Sequence, residues 1–290
     1  MKFSNAILRV VAIFVLFSVI QAIAGAVSNF LLPGSTIPPM PPHFLSWLLV
    51  SNALTVTALS VLALRTEWRG WTLGLSVAAI PVIVMLTSGI EGIVFLTKLH
   101  IDWPRIILSS LIGAVLIAPV WMLLFGRQAG TADEHFHPFA SKAAGERAWK
   151  FMVSDMAYPV LYFVAGSIVW PYVKDFYLTQ GTLPRPSTIV LLQLLVRGPI
   201  FVVLCLLLVR MLRLPRLSGA LAAGAVFTVV SGIAPLLIPN PYFPDAVRWA
   251  HLCEVTSSNF VFAAFVAWLW GRPRFVRALA PARSEALSHF

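Results

Sequence analysis

Residues 71–96 read WTLGLSVAAIPVIVMLTSGIEGIVFL, a run that carries one ionisable side chain, Glu91. About 20 apolar residues in helical conformation cross the hydrocarbon of a bilayer. The run is therefore long enough to span a membrane, and its one carboxylate lies where an ionised group is costly and usually functional.

Working outward, similar runs recur from end to end. The 290 residues are 59% hydrophobic and 11% charged, whereas a soluble domain carries roughly a quarter of its residues charged. A soluble globule with one core is excluded. The spans read as 8–31, 44–64, 71–96, 105–125, 152–172, 187–210, 217–238 and 248–270, separated by charge and by proline clusters such as Pro38 to Pro42 and Pro239 to Pro244. The expected fold is an all-α polytopic transmembrane helix bundle of about eight spans. Residues 1–290 form a single integral membrane domain in this reading. It is organised as a four-helix half 1–125 and a four-helix half 151–271, joined by a cytoplasmic loop 126–150 with a short surface helix at 141–150. Parallel duplication of the halves gains little support, because Gly25 to Gly34 and Gly166 to Gly181 differ in spacing.

Charge sets the expected orientation. Of the Lys and Arg residues other than Arg197, fifteen fall at the termini and in the loops 65–69, 126–150 and 210–216. Only Lys98, Arg105, Lys174, Arg185 and Arg248 fall on the opposite side. The positive-inside bias places both termini in the cytoplasm. The first apolar run, Val10 to Leu32, is long for a signal-peptide core and reads as a retained helix. The expected setting is a bacterial inner membrane.

The formal charge of +10 comes from residues spread singly or in short groups between apolar segments, with no basic tract or aromatic platform to follow a phosphate backbone. The expected partners are the lipid bilayer with its anionic headgroups, a small-molecule or ionic ligand, and a second membrane protein. Nucleic acid is not among them. Cys205 and Cys253 form no C-x-x-C unit and read as small hydrophobes. No cofactor is expected.

Three charges interrupt spans well inside their ends: Glu91, Arg197 and Glu254. With the termini inside, all three fall in the outer half of the bilayer. A shared polar pocket would supply each with partners or water. There Arg197 would hold a carboxylate or phosphate, and a glutamate would exchange a proton or bind a cation. The alternative is an ion-pair network that only fixes helices together. His251 precedes Glu254 by three positions and shares its helix face. Ser257 and Asn259 add polar groups below, and Asn29, Asn52 and Gln193 fall toward the same depth. Glu91, His251 and Glu254 have the chemistry of a zinc-type ligand set, but H-E-x-x-H is absent and no metal site is assigned. Asp133, Glu134, His135 and His137 resemble a metal tract by composition and read as a solvated loop. Gly198-Pro199, next to Arg197, is the expected break in helix geometry and a candidate hinge. Trp47, Trp68, Trp71, Trp103, Trp170 and Trp249 mark span ends as an aromatic belt.

These features rank a small-molecule or ion-coupled permease first. An intramembrane enzyme acting on a lipid-linked substrate comes next, although G-x-S-x-G is absent. A non-catalytic receptor or assembly subunit is third. No P-loop is present for ATP coupling within this chain.

Overall fold

The computed structural model describes residues 3–33, 39–99, 101–126, 143–182, 184–212 and 214–271. The central tract Asp133 to His137, most of the loop 126–150 and the tail after Gly271 lie outside them. In hydrocarbon every backbone N–H and C=O must be satisfied within its own segment, so the apolar runs resolve as helices. Among the described residues, eight are long and apolar enough to cross a membrane. They are α1 (Phe3–Leu31), α2 (Phe44–Arg65), α3 (Gly70–Phe95), α4 (Trp103–Phe125), α5 (Ala144–Gln180), α6 (Pro186–Leu212), α7 (Arg216–Leu237) and α8 (Asp245–Trp270). The protein is a multi-pass, all-α membrane bundle. We call the side bearing the chain ends inner, after the charge bias.

The helix boundaries have local causes. Asp102 caps α4, accepting from the Arg105 backbone N–H at 3.3 Å, and Pro104 occupies the first turn. Pro186 opens α6 in the same way, a position where the missing N–H costs nothing. Gly181 ends α5 with φ +59°, the left-handed conformation that favours glycine. At the outer end of α7, buried Arg248 donates to the carbonyls of Leu236 and Leu237 at 3.0 and 2.9 Å. It thereby satisfies acceptors that the helix end leaves free.

One boundary departs from expectation. Residues 144–150 do not form a separate surface helix; they continue into α5, which runs for 37 residues. Hydropathy marks where a chain leaves the lipid, but a helical hydrogen-bond ladder does not stop there.

The prolines also sort themselves. Pro81, Pro119, Pro159 and Pro171 sit inside helices that run on through them. Pro199 and Pro235 instead follow π-helical segments, Gln193–Arg197 and Val229–Ile233. In each, the residue just before the proline bonds five positions back, Gly198 to the Gln193 carbonyl and Ala234 to that of Val229. The widened turn accommodates a ring that would otherwise press on the carbonyl four residues earlier. The expected irregularity at Gly198-Pro199 is thus a π-segment that ends at Arg197.

Helix α3 packs along α4, α8 along α7 and α5, and α1 on α4 and α2. Helix α2 bridges to α6 and α7, and α3 touches the π-segment of α7. Helix α7 is the most enclosed and α1 the least. The core centres on Tyr158, Phe201, Phe227 and Phe262, whose rings meet at 5.0–6.0 Å.

Lipid tails are as apolar as leucine, so close backbone approach replaces hydrophobic drive between membrane helices. At Gly74 of α3, a methyl group would land on the Ala118 carbonyl oxygen of α4. Backbone cannot move aside as a flexible side chain can. Gly74→Ala is therefore expected to destabilise the bundle by about 1–3 kcal/mol. Gly25→Ala on α1 meets nothing within 4 Å and should leave stability unchanged or slightly raised. Thermal unfolding of both variants in the same detergent measures the difference.

Candidate functional site

Glu91 lies one turn from the outer end of α3, beside Gly92. Arg197 ends the π-segment of α6, and its guanidinium pairs directly with the Glu91 carboxylate through Nη1 and Oε2. Gln193, at the start of the same segment, donates from Nε2 to the other Glu91 oxygen at 3.2 Å. Four residues apart, Gln193 and Arg197 share one face of the helix and meet one carboxylate. The pair is enclosed: Arg197 is 8% exposed at its side chain and Glu91 20%. The Arg197 guanidinium also lies 5.1 Å from the Phe201 ring centroid and 5.7 Å from that of Tyr158, within the range of cation–π attraction. Its Nε and the Gln193 Oε1 are buried with no hydrogen-bond partner among the described residues.

A second polar group spans α5 and α8. His251 Nδ1 lies 2.8 Å from Glu254 Oε2, and His251 Nε2 lies 2.8 Å from the Tyr177 hydroxyl. An ionised Glu254 only accepts, so the neutral ring carries its proton on Nδ1 and accepts at Nε2 from Tyr177. Glu254 is buried, and the other face of its carboxylate is covered by α5 at Gly166, where a methyl group would stand 3.2 Å from Oε1. The edge of Tyr177 faces the His251 ring, and Phe243 closes the other side at 6.2 Å.

Helix α5 lies between the two groups. Tyr158 and Tyr162 are within electrostatic reach of Glu91, Arg197 and Glu254 together, and Arg197 in turn feels Glu254. Among the described residues, polar contact joins Glu91 to Arg197 and Gln193, while Glu254 meets His251 and lies within electrostatic reach of Arg197 without bonding to it.

The remaining candidates separate from these groups. Asn259 is buried and donates to Ser231 Oγ of the α7 π-segment at 2.8 Å, joining α8 to α7. Ser257 points the other way: it is exposed and returns its hydroxyl to the Cys253 and Glu254 carbonyls of its own helix. Asn52 meets Ser18 of α1 at 3.2 Å, away from the charged groups. Gly198 lies against Asp155 of α5, so closely that a methyl group there would overlap the Asp155 carboxylate. Among the described residues, no three His, Cys, Asp or Glu side chains gather in a metal-like group.

Sequence reasoning missed Asp155, Tyr158, Tyr162 and Tyr177. A span drawn from 152 puts Asp155 near the headgroups, and the three tyrosines carry no charge to mark them. The available signal was period: Asp155, Tyr158, Tyr162 and Gly166 recur at helical spacing along one face of α5. Trp47 of α2 and Trp249 of α8 meet edge-on at 6.0 Å.

A cavity of about 100 Å³ lies elsewhere, among α1 to α4, lined by Gln21, Pro81, Ser110, Gly113 and Trp121 with apolar neighbours. None of the charged candidates lines it.

The class these observations define is a polytopic all-α membrane bundle with an ion pair and a hydrogen-bonded carboxylate–imidazole–phenol chain inside it. The chain matches no family model, no curated protein and no solved structure.

Proposed function

We propose that the protein is a permease for a small polar or ionic solute, caught with its charged site closed, and that its setting is a bacterial inner membrane. The observation that carries this reading is the Glu91–Arg197 pair, with Gln193 beside it on the π-segment of α6. An ion pair enclosed in a membrane is costly to assemble, and hydrophobic replacements of similar volume are often as stable. Its presence on the one segment of α6 with altered hydrogen bonding supports a working role. An incoming carboxylate or phosphate competes with Glu91 for the Arg197 guanidinium, which suits such groups by its planar fork of donors. Release of Arg197 leaves Glu91 free to take a proton or a cation. Gly198 and Pro199, directly below, supply a weakened ladder about which the outer part of α6 can swing.

The test is two-sided thiol accessibility. Single cysteines replace Glu91, Gln193, Arg197 and Glu254 in turn, with Cys205 and Cys253 removed, in intact and inverted membranes. Labelling from both faces is expected of a site with alternating access. Protection from both faces overturns the reading.

A second reading has its own observation: Glu91 and Arg197 satisfy each other, and the cavity lies away from them. That arrangement favours a non-catalytic subunit or assembly factor whose charges lock helices together, and double protection is the outcome it requires.

A further inference from the structure

We infer that Tyr177, His251 and Glu254 form a proton relay from the outer surface to Glu254, making the proton the coupling ion of the proposed permease. The inference rests on the carrier reading for its purpose, but its geometry is independent of any solute.

The outer end of the relay is close to water. Tyr177 is in the last turn of α5, three residues before Gln180, and is half-buried. His251 is 23% exposed at its side chain and Glu254 10%, so enclosure increases from the ring to the carboxylate. Both links are 2.8 Å, a distance at which protons pass between heavy atoms without rearrangement. One balanced passage is as follows. A proton from outer water binds the Tyr177 oxygen as the tyrosine's own proton moves to His251 Nε2. The Nδ1 proton moves to Glu254 Oε2. Tyrosine and imidazole end neutral, the imidazole in its other tautomer, and the carboxylate has become a carboxylic acid. Reversal of the same steps, or onward loss of the Glu254 proton followed by return of the ring to its first tautomer, resets the relay.

Glu254 is placed to report its charge to the ion pair. Among the described residues, the ionisable groups facing it are Glu91 on α3, Tyr158, Tyr162 and Tyr177 on α5, Arg197 on α6 and His251 on its own helix. Helix α7, packed along α8, brings only Arg216, which sits at the inner end against Trp268. Arg197 thus has two carboxylates within reach and contacts one. Neutralising Glu254 removes a competing attraction on Arg197, so proton uptake and solute binding become linked through one guanidinium.

The experiment is infrared difference spectroscopy on the full chain in lipid nanodiscs, following a step in buffer pH. The wild-type protein is expected to give a protonated-carboxyl signal that Glu254→Gln removes. Tyr177→Phe should leave the size of that signal but slow its appearance by about a hundredfold, the low end of what a positioned proton-transfer group contributes. His251→Gln serves as the second relay variant, with the same slowing expected. Tyr172→Phe, on the same helix but 77% exposed, should match the wild type. A signal that persists in Glu254→Gln, or a Tyr177→Phe time course equal to the wild type, overturns the relay. The measurement needs no solute. Double protection in the labelling experiment would therefore remove the carrier while this signal persisted, and loss of this signal would leave two-sided labelling untouched.

Discussion

Replacing Arg197 by glutamine is expected to destabilise the bundle by about 3 kcal/mol or more, a larger effect than that of any other single substitution proposed for this protein. The cause is the group left behind. Glu91 would be left enclosed with only Gln193 to meet it, and either holding or neutralising an uncompensated carboxylate there costs more than breaking a surface pair. Arg197 also meets the Tyr158 ring of α5 and packs on Phe201 one turn along its own helix, so the loss spreads to packing. The double variant Glu91→Gln with Arg197→Gln removes the stranded charge and should recover much of the stability. Thermal unfolding of the wild type, both single variants and the double variant closes the cycle. A double variant no better than Arg197→Gln alone would mean that packing against the rings, and not charge, dominates at this site.

Phe201→Ala is expected to cost about 2 kcal/mol. In a soluble core the same change costs more, because transfer of the ring out of water is also lost. In a bilayer both the core and the surrounding lipid are apolar, so that contribution largely cancels and the packing loss remains. Phe201 is fully buried and meets Tyr158 edge-on at 5.1 Å and Phe227 at 5.0 Å. It also faces Arg197, so its removal weakens the ion pair's support as well as the core. Phe163→Ala, on the 39%-exposed side of α5, should change stability little. Equal unfolding temperatures for the two alanine variants would contradict the assignment of this aromatic cluster as the centre of the core.

Most of the fold was legible because one physical rule dominates it. A backbone that cannot bond to lipid must be helical, so runs of apolar residues locate the spans; 44–64 corresponds to Phe44–Arg65 and 248–270 to Asp245–Trp270. The same rule misjudged α5, where Asp155 and Lys174 resemble boundaries but the helix runs on past both. At the site, the spans gave a reading of depth and none of azimuth. That reading set Glu91, Arg197 and Glu254 at one level; helix packing brings Arg197 to Glu91, while the three-residue spacing on α8 had already put His251 beside Glu254. Ser257 and Asn259 are two residues apart and point to opposite environments, a separation that a count of polar residues cannot express. The tyrosines do not stand out in the sequence because an aromatic ring in an apolar run also serves as packing or at an interface, and only the facing helix shows which one bonds to a histidine.

Helix α5 has a mechanical consequence. Its 37 residues amount to about 55 Å at the α-helical rise, against roughly 40–45 Å for a bilayer with its headgroups. At least one end therefore stands clear of the membrane, and the inner end carries the Glu146–Lys150 pair at 2.8 Å. The same rod holds Tyr158 against the ion pair and Tyr177 against His251. Tyr158 and Tyr177 are therefore fixed to one rigid element, and displacement of that rod would move the surroundings of the ion pair and of His251 in step.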